Sequence, residues 1–238
     1  MISGHPTARG RRALVAAALL RIGGDTIGPR FFKDDIWPSL KSWADVEHAP
    51  VLMAARFGCL PQAVRVAVER ALIDADPAQA RAGAVGAGLV TFADEGYPTG
   101  LRHLPDPPIV LWTIGDVVCL GAPAVAVVGS RNASPIGIET ARRLARGLAS
   151  AGLAVVSGLA RGIDGAAHRG ALQGGGVTLG VLGCGVDIVY PRQHQQLAAD
   201  VRASGCLVSE LPPGMPPLPR HFPLRNRIIS GLSRAVVV

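Results

Sequence analysis

Ala124-Val125-Ala126-Val127-Val128-Gly129-Ser130-Arg131-Asn132-Ala133-Ser134-Pro135 decides the fold. An unbroken apolar run ends in a glycine, and a serine–proline pair follows within one loop. The run reads as a strand buried on both faces, because a half-exposed strand would alternate. Ser134 suits a helix N-cap, and Pro135 suits the first turn, where its missing N–H is not needed. That helix is expected to reach about Ala151 and to end at Gly152. The unit then repeats. Leu153–Val156 is the next strand, followed by Ser157-Gly158 and a helix near Asp164–Leu172. Val177–Leu182 comes next, closed by Gly183-Cys184-Gly185, with a helix near Gln193–Ala203. Cys206–Ser209 and the start at Ala235–Val238 complete the series. The alternation predicts an α/β fold: a Rossmann-like, mostly parallel sheet with flanking helices and right-handed crossovers.

Upstream, the pattern is helical from about Arg11 to Asp76. Ala13–Arg21, Ser42–His48, Val51–Phe57 and Pro61–Ala75 read as short helices. Gly23-Gly24, Gly28-Pro29, Pro38, Pro50 and Gly58 break them, and Pro77 reads as a stop. Residues 1–78 are thus expected to form a small all-helical domain, and 79–238 a Rossmann-like domain. Leu89–Phe92 and Ile109–Ile114 look like short strands, and Pro105-Asp106-Pro107-Pro108 must be loop. Val236–Val238 reads as the middle of a strand. The chain is therefore expected to be truncated within the Rossmann-like domain.

A length of 238 residues allows one or two domains and a sizeable core. With 49% hydrophobic and 17% charged residues, a disordered chain is excluded. Cys59, Cys119, Cys184 and Cys206 form no CxxC pair and have no histidine cluster beside them. Buried, reduced thiols are expected rather than zinc or disulfides. No apolar run reaches the ~18 residues of a membrane helix. Arg9, Arg11 and Arg12 ahead of Ala13–Leu20 imitate a signal peptide, but Arg21 follows at once and no cleavage site comes after it. A cytoplasmic protein is expected. The net charge is +7, carried almost wholly by arginine, since Lys33 and Lys41 are the lysines. Such a charge suits an acidic partner such as nucleic acid. The composition of a GC-rich genome would produce it equally well.

In an open α/β sheet, ligands bind at the carboxyl ends of the strands. Those ends here carry Gly129-Ser130-Arg131 and Ser157-Gly158-Leu159-Ala160-Arg161-Gly162. Glycine lets a ligand approach backbone N–H groups, and a helix start adds positive potential. The pattern reads as an anion site. GxxxxGK[ST] and GxGxxG are both absent, which disfavours a Walker ATPase and a nicotinamide dehydrogenase. No GxSxG or YxxxK is present either. Asp164 and His168 could share a helical face, as a hydrolase pair or as a helix-start acid beside a packed histidine. The proline-rich stretch Pro212–Pro219 delivers Arg220-His221-Phe222-Pro223-Leu224-Arg225-Asn226-Arg227 to a helix start. Arginine and asparagine can hold phosphates and base edges, and phenylalanine can stack on an unpaired base. The alternative for Phe222 is a core plug.

These segments resemble the DNA-processing family known as DprA or Smf. The likeness rests on Val127–Arg131, Ser157–Asp164, Ala167–Leu172, Val181–Asp187, Tyr190-Pro191, Ser209-Glu210 and Phe222–Ser233. Tyr97-Pro98 and Leu104–Pro108 add a weaker match, and the helical module is loosely similar to the family's SAM or helix-hairpin-helix domain. The resemblance implies a non-catalytic, cytosolic protein that binds single-stranded DNA, protects it during natural transformation and helps load RecA recombinase. It implies a basic pocket at Arg131, with Arg161 and Arg192 near it and Arg225 and Asn226 beside it. Phe222 would be the stacking aromatic. Together with the strand-end reading, the nucleic-acid set is Gly129, Ser130, Arg131, Gly158, Arg161, Arg192, Phe222, Arg225, Asn226 and Arg227. No catalytic residue, cofactor or metal is implied. A homodimer is possible, with an incomplete interface. His194 departs from the family's usual asparagine, and Gly23–Gly28 is an awkward hairpin turn. A Rossmann-like nucleoside-monophosphate hydrolase is the alternative, but it needs PGGxGTxxE. Gly174-Gly175-Gly176 lacks the proline and runs into Val177. An inactive truncated product is a further alternative.

Overall fold

The computed structural model describes residues 7–23, 32–56 and 61–238. The turn expected within Gly23–Gly28, the breaks at Gly28-Pro29 and Gly58, and Cys59 lie outside the described residues.

Among the described residues four α-helices come first: α1 (Ala8–Gly23), α2 (Trp43–Glu47), α3 (Ala49–Arg56) and α4 (Pro61–Ala84). Then follow β1 (Gly88–Thr91), α5 (Thr99–Arg102), β2 (Val110–Gly115), β3 (Ala124–Val127) and α6 (Pro135–Ser150). The chain continues through β4 (Ala154–Ser157), α7 (Ile163–Gln173), β5 (Thr178–Val181), α8 (Gln195–Ser204), β6 (Cys206–Ser209), α9 (His221–Gly231) and β7 (Ala235–Val237). The expected start of α6 is realised: the Ser134 side chain accepts from the Gly137 N–H at 3.2 Å, and Pro135 opens the helix.

One expectation fails. Pro77 does not stop α4, which runs on to Ala84. A proline inside a helix removes one backbone hydrogen bond and crowds the preceding turn. Here Val68, Ala71, Ala75 and Ala82 lie on one buried stripe, and α4 packs along α1. That packing outweighs the local defect. Leu14–Ala18, the stretch that imitates a signal peptide, is buried in the same place.

The seven strands form one sheet in the order β1-β2-β6-β5-β4-β3-β7. β6, β5, β4, β3 and β7 are parallel, while β1 and β2 add an antiparallel edge. α6 and α7 cover one face, where Val127 and Val155 meet Ala141, Ala145, Ala167 and Ala171. The remaining core is continuous from the helical region into the sheet, joining Leu14, Val15 and Val46 to Leu111, Trp112, Val156 and Leu207. Polar links reinforce the join: Arg11 Nη2 reaches Asp94 Oδ1 at 3.0 Å, and Lys33 Nζ donates to the Leu104 carbonyl at 3.0 Å. From β3 the chain winds one way to β6. It then returns through α9 to place β7 on the other side of β3. The winding direction therefore reverses between β3 and β7, and such a reversal opens a crevice at the carboxyl ends of the strands.

Candidate nucleic-acid interface

The loops after β3 and β4 interlock at that crevice. The Ile163 N–H donates to the Ser130 carbonyl at 3.2 Å, and the Asn132 N–H donates to Ser130 Oγ at 3.1 Å. Gly162 has φ +73°, and a Cβ there would lie 2.1 Å from the Ser130 carbonyl oxygen. No other residue type fits this crossing. Ser157 Oγ donates to the Val127 carbonyl at 2.7 Å, tying the two strand ends together. Between them Leu159, fully buried, holds φ +58°. A left-handed leucine stores strain, and such strain concentrates where a loop is held for a ligand.

A buried arginine and a buried aspartate form the floor. Arg225 of α9 donates from Nη1 to the carbonyls of Gly158, at 2.7 Å, and Val181. Asp164, in the first turn of α7, accepts the Gly158 N–H on Oδ2 at 3.2 Å. Burial pushes the Asp164 carboxyl upward in pKa, and the Arg225 charge pulls it back. Burial likewise pulls the Arg225 guanidinium below its usual range, and Asp164 opposes this. Gly158 must be glycine, since a Cβ would sit 2.3 Å from the Arg225 guanidinium.

Two cavities open above this floor. One, of about 350 Å³, is lined by Gly129, Arg131, Asp164, Arg225, Asn226 and apolar neighbours. The other, of about 280 Å³, is lined by Arg131, Gly158, Arg161, Tyr190, Gln193 and Phe222. Arg131 and Ala160 line both, so the two form one groove. The Arg131 guanidinium lies 5.2 Å from the Phe222 ring centre, in cation–π range. Tyr190 packs on Phe222 with centroids 5.5 Å apart and remains 45% exposed. Phe222 itself is half-buried against Gly183, where a Cβ would lie 2.9 Å from the ring. It is both a support and a part of the groove wall.

The structure thus gathers Gly129, Arg131, Gly158, Arg161, Phe222, Arg225 and Asn226 along the groove. Ser130 contributes mainly loop geometry. Arg192 is exposed beside the lining residues Pro191 and Gln193. Arg227 is placed elsewhere: its Nη2 holds both Glu210 oxygens at 2.8 and 2.7 Å, and its Nε meets Asp106 at 3.2 Å. Asp164 and His168 form no pair. His168 is fully buried, hydrogen-bonded through Nδ1 to Thr178 Oγ1 at 2.7 Å, and burial lowers its pKa to about 3. Sequence reasoning missed Tyr190 as a wall of the groove, although its aromatic ring beside Pro191 was in view. It also missed Asp164 as a buried acid whose charge acts on a buried arginine. Among the described residues no cluster of metal-binding side chains occurs, and no helix is long and apolar enough to cross a membrane.

A doubly wound sheet with a cationic, aromatic-walled groove at its reversal point defines a Rossmann-like α/β protein. The chain belongs to the DNA recombination-mediator protein A family, whose pattern it matches over residues 88–238. It is 45% identical over 148 residues to the DNA processing protein DprA of Streptococcus pneumoniae, covering 62% of this chain and 52% of that one. It is 46% identical over 151 residues to protein Smf of Escherichia coli, covering 63% and 40% of the two chains. The chain thus spans about half, or less, of these relatives. The X-ray structure of S. pneumoniae DprA superposes with a TM-score of 0.72 at 32% identity, over 98% of this chain and 77% of that one. DNA processing protein A from Helicobacter pylori, solved to explain its single-stranded DNA binding mode, superposes with a TM-score of 0.57 at 32% identity, over 62% and 67%.

Proposed function

We propose that this chain binds single-stranded DNA along the groove at the β3–β7 reversal. In that role it protects an incoming strand and helps place RecA recombinase on it during natural transformation and recombination. It acts in the cytoplasm, as a binder rather than an enzyme and without a cofactor, with a second copy of the chain as a further partner. The helical segment 1–78 and the sheet-bearing segment 79–238 serve as its two units.

One observation carries this reading. Arg131 and Arg161 are exposed on the cavity walled by Tyr190 and Phe222, Arg192 and Arg220 are exposed within two residues of that pair in the chain, and none is ion-paired among the described residues. Unpaired cations neutralise phosphates, and an aromatic wall accepts any unpaired base. The membership of the family and the likeness to the H. pylori protein support it.

The test is fluorescence anisotropy of a labelled oligo-dT against the matching duplex, across a salt series. Four phosphate contacts on a single strand predict a log–log salt slope of about −3. Tight binding that prefers the single strand, with a slope near this value, is expected. A folded protein that binds the duplex equally well sinks the proposal.

A further inference from the structure

Segment 210–220, between β6 and α9, sets where α9 begins and so where Phe222 and Arg225 stand. It carries Pro212, Pro213, Pro216, Pro217 and Pro219. None of these has an N–H to donate, so the segment has few ways to fasten itself to the sheet. Its bend over Pro212-Pro213-Gly214-Met215 matches a type II turn. The Met215 N–H donates to the Pro212 carbonyl at 3.1 Å, a proline takes the second position, and Gly214 holds φ +86° at the third.

The turn docks on the loop after β5. The Gly185 N–H donates to the Met215 carbonyl at 2.8 Å, and Asp187 Oδ1 accepts the Gly214 N–H at 2.8 Å. The approach is backbone on backbone: a Cβ at Gly185 would lie 2.7 Å from the Gly214 nitrogen and 2.8 Å from the Pro212 carbonyl oxygen. The same loop backs the groove, because Gly183 sits against the Phe222 ring. Arg81 of α4 lies against the turn as well, its Nη1 2.6 Å from where a Gly214 Cβ would be. Its Nε stands 4.0 Å from Asp187 Oδ2. The Arg81 side chain is 62% exposed, so this ionic contact is weak. That of Asp187 is 15% exposed, and its bond to Gly214 is the stronger anchor. Neither residue lines a cavity of the groove.

We propose that Asp187 is a positioning residue for strand binding: it holds the Gly214 turn, the turn fixes segment 210–220, and that segment delivers Phe222 and Arg225 to the groove. The proposal rests on the single-strand reading above and adds a residue that acts on that site from outside it. Arg81 extends the same anchor to the helical region.

The experiment measures dT12 anisotropy for the native protein, Asp187→Ala, Asp187→Asn, Phe222→Ala and the Asp187→Ala/Phe222→Ala double variant, each shown by circular dichroism to be folded. Asp187→Ala is expected to bind about tenfold more weakly, the worth of one charge-assisted hydrogen bond. Asp187→Asn keeps an acceptor for the Gly214 N–H and should stay within about threefold of the native protein. Both changes raise the net charge equally, which by itself favours DNA, so a loss confined to alanine is not an effect of charge. In the Phe222→Ala background, Asp187→Ala should cost no more than about twofold, because the two residues act in one chain of contacts. Native affinity in folded Asp187→Ala overturns the inference, as does a full additional tenfold loss in the double variant. So does an asparagine variant as weak as the alanine one. Should Asp187→Ala fail to fold, Asp187→Glu keeps the charge and shifts the acceptor by one methylene. It is expected to weaken binding, and unchanged affinity there overturns the inference. A native protein that does not bind dT12 sinks the single-strand reading itself, whereas native binding with an unaffected Asp187→Ala sinks this inference alone.

Discussion

Arg131 and Arg227 carry the same side chain and have opposite roles. Arg131 is exposed, lies 5.2 Å from the Phe222 ring centre, and lines both cavities. Arg227 is mostly buried between Glu210 and Asp106. Removing the Arg131 cation should leave the fold alone and weaken strand binding by about 1–3 kcal/mol, as for charge-assisted contacts. Removing the Arg227 cation should leave two carboxylates buried without it and destabilise the protein by about 3–5 kcal/mol. The check is a pair of alanine variants, each measured by urea unfolding and by dT12 anisotropy on folded protein. Weakened DNA binding with intact stability in Arg227→Ala would reverse the assignment. The sequence shows only three arginines between Arg220 and Arg227. The helix separates them: Arg225, Ile228 and Ile229 are buried, whereas Asn226 is exposed. Helical spacing alone could have grouped Arg225 with the isoleucines. It could not have supplied Glu210 and Asp106, which arrive from distant loops.

At the level of elements, α6 and α7 approach unusually closely because glycines line their contact. A Cβ at Gly170 would lie 2.1 Å from the Arg142 carbonyl oxygen, and one at Gly174 would lie 2.7 Å from that of Arg146. Backbone cannot swing aside as a side chain can. Gly170→Ala is therefore expected to push the helices apart and cost about 1–3 kcal/mol, typical of overpacking. In a chain of 238 residues that lowers Tm by about 2–4 °C per kcal/mol. Calorimetry of the variant checks this, and an unchanged Tm would show that the helices already have room. The strands were legible for a simple reason: runs such as Ala124–Val127 and Cys206–Ser209 are buried on both faces and bounded by glycine or polar turns. The course of α4 through Pro77 was not. Local sequence registers the missing N–H, but the stripe that overrides it exists only once α1 is in place. Nor was the strand order legible, because β1 and β2 pair by antiparallel contacts that no local pattern encodes.

For the whole molecule, the core beneath the groove ties stability to pH. His168 is fully buried, with Nδ1 on Thr178 Oγ1 and Nε2 without a partner, near His194, Arg225 and Arg169. Desolvation, the largest cause, and these neighbouring positive charges lower its pKa from 6.5 to about 3. Between those two values the unfolded chain binds a proton that the folded protein refuses. Stability is then fully present above pH 6.5 and falls as the pH drops toward 3. At about 1.4 kcal/mol per pH unit, the loss reaches about 2 kcal/mol by about pH 5. His221, whose pKa is lowered by its own burial, pulls in the same direction. Asp164 runs the other way, because its raised pKa makes the folded state hold a proton longer as the solution turns acid. Comparing the native protein with His168→Gln separates the histidine from both. Glutamine can still donate to Thr178 and does not titrate. Urea unfolding from about pH 7.5 to 5 should show a steep decline for the native protein and a shallower one for the variant. Parallel declines would place the pH sensitivity elsewhere in the molecule and return His168 to a purely packing role.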